Sequence, residues 1–288
     1  MAGRHRKDSG ATGVLIVDKP SGCTSHDIVD QVRRKLGTRK VGHAGTLDPD
    51  ATGVLVLGVG KGTKLLQFVT GVDKRYEGEV VFGTTTDSLD STGALTGTYD
   101  MSLTPEQVAA AAERFVGDIE QIPPMVSAVK IEGKRLHELA REGKEVDRPP
   151  RPVTIHGLQL EPTDDPMVYR LSVHCSSGTY IRTLAADLGT ALGGGAHLRN
   201  LRRTAVGRFD LAAARPVDEA ELAPLTDMLS HLPTMQVGDT VAVQVRHGRS
   251  LGPSSGSGRL AIVDPKGELL AVYESRDGEF RPVKVLVG

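Results

Sequence analysis

Cysteine is scarce in this chain: two in 288 residues, Cys23 and Cys175, with no motif spacing between them. That excludes a disulfide framework and a thiolate zinc cluster, and a reduced, cytoplasmic setting is the simplest expectation. Tryptophan is absent and the other aromatics are five Tyr and five Phe, so an aromatic near a candidate site carries weight. No apolar run approaches the length of a membrane span. The nine histidines are scattered with none paired at ligand spacing, so no metal is expected. No nucleotide-binding motif stands out either. Residues 1–12 are polar and basic, with Arg4, His5, Arg6 and Lys7 but no apolar core. They read as a flexible tail and not as a secretory signal.

What is present suits a soluble globular protein with one large domain, or one large and one small: 39% hydrophobic and 25% charged residues. The net charge of −1 does not itself point to nucleic acid, but its distribution does. Basic residues cluster at Arg33–Lys40, Lys61–Lys64, Lys74–Arg75, Lys130–Arg135 and Arg199–Arg208, while acids crowd into Asp87–Asp100, Glu161–Asp165 and Asp218–Asp227. Segregation of this kind can build a basic face on a neutral protein. Any one cluster taken alone reads as a solvated surface.

Periodicity and punctuation predict strands at Gly13–Val17, Val54–Val59, Tyr76–Phe82, Ser127–Ile131, Val153–Leu160 and Val168–His174. Helices are predicted from a Ser25 cap to about Leu36, at Thr63–Val69, from a Thr104–Gln107 capping box to about Val116, at Arg135–Glu142, and at Tyr180–Leu192, ended by Gly193–Gly195. Gly37–Thr52 reads as a loop, and Thr84–Thr98 as a long surface loop or loose hairpin. Strands and helices are interspersed without a βαβ period, so the class expected is α+β. A helical, acidic linker is expected at 217–236. After it, at 237–288, short β-like runs including Thr240–Val245 suggest a small β-barrel module, too small to be the chemical domain. The chemical domain would then span 13–216.

The segment Gly42–Gly53 is the most informative. Its carboxylate, Asp48, stands directly before Pro49, which biases it away from helix, and between flexible Gly positions that let backbone approach a ligand. An apolar strand follows at once. Four other segments carry unusual residue sets: Asp18 to Ser25, with Lys19 and Pro20; Lys74, Arg75 and Tyr76; Pro123 and Pro124 followed by Ser127, Ala128 and Lys130; and Gly178 to Leu184, with Tyr180 and Arg182, leading to His197–Thr204.

In order and spacing, these five segments resemble the TruB family, the synthases that convert uridine 55 in the T-arm of tRNA to pseudouridine. The resemblance covers about Gly13 to Asp210, and the module after it is similar to a PUA domain. It implies a pseudouridine-synthase fold with a mixed, largely antiparallel sheet flanked by helices. It implies Asp48 as the essential aspartate, and His43 as the histidine near the space vacated by the flipped base. Tyr76 is implied to stack on the target base, Tyr180 to line the pocket, and Arg182 to pair with the aspartate. Lys19 and Pro20 would brace the site, and Lys130 would contact substrate. The implied partner is tRNA, with no cofactor, metal or membrane, and nothing demands more than a monomer.

The chemistry agrees. Turning an N-glycoside into a C-glycoside needs the base detached, rotated and rejoined, with no redox change and no phosphate energy. A carboxylate can act as nucleophile on sugar or base, or as a base on the sugar. A uridine in a structured loop must be flipped out, and a flipped base needs an aromatic to stack on. Taken singly, an Asp before Pro is an ordinary turn residue and a lone His or a strand Tyr is ordinary packing; the ordered set outweighs those readings. Arg182 at a helix start opposes the helix dipole, which favours a specific partner for it. Two rivals remain. Asp48, Asp50 and Thr52 spell the signature of an aspartyl-phosphate phosphatase, although Gly42–Leu47 is not the hydrophobic strand that motif follows. A non-catalytic RNA-binding protein would share the surface and have no need of Asp48.

Overall fold

The computed structural model describes residues 8–125, 127, 130, 131, 134, 135, 146–254 and 257–286. The chain forms two compact units, one of Met1–Pro49, Gly53–Val72 and Val206–Gly288, the other of Asp50–Thr52 and Asp73–Ala205. The class is α+β, as expected, with mostly antiparallel strands.

The first unit opens with β1 (Gly13–Lys19), α1 (Ser25–Leu36), β2 (Val41–Ala44), β3 (Thr52–Val59) and, after a 3-10 turn at Gly60–Leu65, α2 (Leu66–Thr70). Strand β3 pairs antiparallel with β1 along one edge and with β2 along the other. The apolar runs of β1 and β3 are continuous because both faces are buried. Leu15, Val17, Leu55 and Leu57 pack with Ile28, Val29 and Val32 of α1. Val14, Ile16, Val54 and Val56 face the other way, onto Phe68 and Val69 of α2.

The second unit carries β4 (Lys74–Phe82), the hairpin β5 (Thr84–Thr86) and β6 (Leu95–Thr98), α3 (Pro105–Glu113) and β7 (Gly117–Gln121). Then come the short pair β8 (Lys130–Ile131) and β9 (Lys134–Arg135), β10 (Arg151–Pro162), β11 (Val168–Cys175), α4 (Ile181–Ala191) and β12 (Ala196–Val206). Its sheet runs β12-β4-β11-β10-β7, and α3 packs on β10 and against α4. The capping box at Thr104 and Gln107 forms as predicted, with Pro105 in the first turn. The helix predicted at Arg135–Glu142 falls almost wholly outside the described residues.

The chain then returns to the first unit with β13 (Phe209–Asp210), β14 (Thr234–Gln236), α5 (Asp239–Arg246), β15 (Leu251–Pro253), β16 (Gly258–Val263), β17 (Leu269–Arg276) and β18 (Glu279–Val285). The last five strands form a sheet in the order β14-β16-β17-β18-β15, with only β14 and β16 parallel. One face of this PUA-like sheet packs on α5 through Leu260, Ile262, Ala271, Tyr273, Ala242 and Val245. The other contributes Ala261 and Val272 to the cluster that holds Val14, Phe68 and Val206. The module therefore shares a core with the opening segment of the chain.

Four expectations need correction. Thr240–Val245 is helical: its β-branched alternation mimics a strand, but Ala242 and Val245, at helical spacing, are the buried pair. The 217–236 segment is mostly irregular, with a 3-10 turn at Leu225–Leu229 and β14 at its end, because Pro216, Pro224 and Pro233 interrupt it. The cap of α1 is Thr24, in a capping box with Asp27, and not Ser25. Finally, β2 lies inside a predicted loop, and β7 and β12 were not predicted. In β12, Ala196 and Leu198 are buried, then Arg203 and Ala205. The phase changes around Asn200, whose φ of 55° is left-handed, a conformation Asn tolerates. That break hides the period of two and turns Arg203 inward.

Candidate catalytic site

In the first unit, Asp48 is half-buried between two residues that are each pinned. On one side, the buried Ser25 hydroxyl accepts from Leu47 N at 2.9 Å and donates to Leu47 O at 3.1 Å. On the other, Pro49 O accepts from Lys19 Nζ at 2.9 Å and from Gly22 N at 3.0 Å. Lys19 is fully buried and also donates to Pro20 O at 2.9 Å and Cys23 O at 2.6 Å. A buried ammonium is tolerable only when it is saturated with acceptors, and three carbonyls supply them. Lys19 is thereby committed to holding the turn before α1 against the Asp48 loop. Ser25, freed from capping, holds the other flank. Gly45 and Gly53, with φ of 89° and 102°, let the loop leave β2 and enter β3 through left-handed backbone. His43 lies on β2 opposite Leu57, partly exposed.

In the second unit, Arg182 sits in the first turn of α4, 5% exposed. Its Nη1 donates to Ser88 O at 2.8 Å and lies 3.5 Å from the Asp90 carboxylate. Asp90 also accepts from Ser88 Oγ at 2.7 Å, Thr92 Oγ1 at 2.6 Å and Thr92 N at 3.0 Å. The 87–92 segment is tied to β12 as well, through Ser91 N to Leu198 O and Leu198 N to Leu89 O. The acid-rich stretch that reads as a surface loop is thus an ordered turn built around a buried guanidinium.

Tyr76 lies on β4 opposite Val173, 8% exposed. Its hydroxyl is hydrogen-bonded to Arg203, a side chain 1% exposed whose pKa is lowered, chiefly by burial. Sequence reasoning placed Arg203 in a basic cluster and missed this contact; the only signal was the broken alternation in β12. Arg202 of the same strand donates to Thr52 Oγ1 at 3.2 Å. Tyr180, half-exposed, is the N-cap of α4 without a side-chain cap bond. The buried Gln121 amide substitutes for one, accepting from Tyr180 N at 2.9 Å and donating to Tyr180 O at 3.3 Å. Lys130 is in β8, and its side chain lies outside the described residues.

Residues 33–181 match the profile of the TruB family pseudouridylate synthase (N terminal domain). Residues 182–230 match the tRNA pseudouridylate synthase B C-terminal domain, and residues 232–287 match tRNA pseudouridine synthase II, C terminal. The tRNA pseudouridine synthase B of Corynebacterium jeikeium (strain K411) is 45% identical over 280 residues, covering 92% of this chain and 91% of that one. The protein of the same name from Geobacillus thermodenitrificans (strain NG80-2) is 42% identical, covering 95% and 99%. Among solved structures, a Cbf5-Nop10-Gar1 complex aligns with a TM-score of 0.74 at 24% identity, over 96% of this chain and 85% of that chain. An H/ACA RNP bound to a substrate RNA containing 2'-deoxyuridine gives 0.73 at 22% identity, over 96% and 85%. At such identities the likeness speaks for the fold.

Proposed function

Since the chain belongs to the TruB family of pseudouridylate synthases, we propose that it isomerises uridine 55 in the T-arm of tRNA to pseudouridine, with Asp48 as the reacting carboxylate. The reaction breaks the bond from N1 of uracil to C1′ of ribose and makes one from C5. N1 gains a proton and C5 loses one, so atoms and charge balance without a redox partner. Asp48 adds to C1′ or to the ring and is released when the new bond forms. The uridine leaves its stack first, at a cost of about a few kcal/mol. Tyr76 offers the flipped base an aromatic face, Tyr180 lines the site, and His43 lies toward the space the base leaves. Arg182 carries the positive charge that keeps Asp48 ionised and aimed. Lys130, the basic clusters and the PUA-like module contribute affinity for the RNA.

The observation that carries this reading is the anchoring of Asp48. Its neighbours are fixed by Ser25 and Lys19, two residues the fold has taken from ordinary surface roles. Holding one carboxylate still is what a reaction without cofactor needs. The test is to incubate the protein with a tRNA transcript and map pseudouridine at single-nucleotide resolution. Modification at position 55 alone, abolished when that uridine is replaced by cytidine, supports the assignment. Modification elsewhere with position 55 untouched contradicts the site choice, and no modification of any uridine contradicts the activity.

A further inference from the structure

Three side chains of the second unit converge away from the residues assigned to catalysis. His156 Nε2 lies 3.3 Å from Asp73 Oδ2, and His174 Nε2 lies 3.8 Å from the same oxygen. The two imidazole rings are 4.8 Å apart, tilted by 48°. All three ligand atoms fall within 4.8 Å of one another. The sequence shows no such pairing, because His156 and His174 meet only across paired strands.

The sheet brings them together by a specific device. In the β10–β11 ladder Ile155 opposes Cys175 and Gly157 opposes His174, so His156 is the extra residue of a bulge. A bulge re-aims a side chain by leaving one residue out of the ladder, with a local bend and added twist in its strand. Here it puts His156 on the exposed face with His174, while Ile155 and Cys175 stay buried. Gly157, opposite His174, leaves the space open: a Cβ there would meet nothing within 4 Å. Asp73, one residue before β4, completes the trio from a third adjacent strand.

We infer that Asp73, His156 and His174 form a binding site for a divalent transition metal of the zinc class, separate from the isomerase chemistry. Ligand atoms around tetrahedral zinc stand about 3.3 Å apart, so one pair already has the required spacing and the second is about half an ångström from it. Two imidazoles and one carboxylate suit zinc-class ions over calcium or magnesium, which prefer all-oxygen shells. Three protein ligands leave a fourth position to water. The half-exposed side chains, with Arg75 opposite His174 on β4, make this an exchangeable site. A bound ion would clasp three adjacent strands beside the stretch of β4 that carries Tyr76.

The test uses the full-length protein, freed of metal by chelation and dialysis. Zn²⁺ is titrated calorimetrically, and Co²⁺ is followed by its tetrahedral absorption bands. One equivalent should bind, and saturation should raise the melting temperature. His156→Ala and His174→Ala should each weaken Zn²⁺ binding by more than the roughly 10–100-fold that loss of a mere ligand-supporting contact costs. Asp73→Asn, close in shape, serves as a third probe. Because these side chains are exposed, the metal-free variants should melt like the parent. The control is His26→Ala, at the surface pair His26–Asp30, 3.9 Å apart, which should bind normally. The inference is overturned if no saturable equivalent binds, if binding survives in the His156→Ala/His174→Ala protein, or if the His26 variant alone abolishes it.

Discussion

Lys19→Met separates anchoring from chemistry. Met fills the buried stem's volume and removes the ammonium that binds the carbonyls of Pro20, Cys23 and Pro49. Hydrogen bonds to a charged group contribute about 1.5–3 kcal/mol each. Their sum is partly offset because burying an ammonium costs several kcal/mol, so the expected net loss is roughly 2–4 kcal/mol. The share that falls on Pro49 acts directly on the Asp48 loop. Pro49 O keeps its bond from Gly22 N, so the loop loosens without detaching. If the reactive geometry loses about 1.4–2.7 kcal/mol against displaced ones, the rate falls about 10–100-fold, at 1.36 kcal/mol per tenfold. The assay is single-turnover pseudouridine formation at saturating enzyme, beside tRNA binding and thermal melting of the same preparation. Binding should stay within about threefold, because Lys19 is buried and cannot touch RNA. Lys19→Arg should not rescue, since a longer planar fork replaces a compact ammonium in a closed site. A Met variant that melts earlier yet reacts within about twofold of the parent rate would refute the reasoning, because Lys19 would then serve the fold and not the site.

Other expectations follow from contacts elsewhere. Tyr76→Phe removes the hydroxyl bonded to the buried Arg203, so thermal unfolding should show a loss of about 1–3 kcal/mol even if stacking persists; an unchanged melting curve would contradict that contact. Lys74 is buried, and desolvation first, then the Arg203 charge, push its pKa from 10.5 down to about 8. The unfolded chain thus holds more protons than the fold between pH 8 and 10.5, and Lys74 makes stability rise with pH across that window. Burial pushes the Cys175 thiol from 9.0 up to about 11, which lowers stability above pH 9. Denaturant titrations should therefore show stability rising between pH 8 and 9, by roughly 1 kcal/mol, and Lys74→Met should flatten that rise. Deleting the chain from β14 onward uncovers Phe68, Val69 and their neighbours, at roughly 1.5–3 kcal/mol per large side chain exposed. The shortened protein should fold poorly, and a truncation as stable as the parent would show that the shared core contributes little.

The sequence disclosed what depends on local pattern. The apolar runs of β1 and β3, the capping box of α3 and the Gly-rich turn around Asp48 are written in adjacent residues. What it concealed depends on phase and on pairing at a distance. Arg203 looked like one more surface cation because Asn200 shifts the alternation of β12. Ser25 looked like a helix cap because Thr24 beside it is equally suited, and only the fold shows which of the two is turned toward Leu47. The 87–92 stretch looked like solvated loop because its polar side chains bond one another and Arg182, a contact between residues some ninety positions apart. In the C-terminal module, Arg246 and Arg259 have structural partners: Arg246 lies 3.3 Å from Asp264, while Arg259 lies 3.1 Å from Glu274 and stands over the Phe68 ring. The exposed Arg249 is therefore a better choice than either for a substitution that probes RNA affinity through its salt dependence.

The most direct test of the central claim compares Asp48→Asn with the parent on the same tRNA, measuring binding and single-turnover conversion of uridine 55 side by side. Asn keeps the shape of the side chain and the loop anchored by Ser25 and Lys19, and removes the carboxylate proposed as the reacting group. The account predicts binding within a few-fold of the parent and conversion below about a hundredth of its rate, a loss of more than about 2.7 kcal/mol in the reaction barrier. Conversion that persists above that level with binding intact would contradict it, because the chemistry would then be carried by a residue other than Asp48.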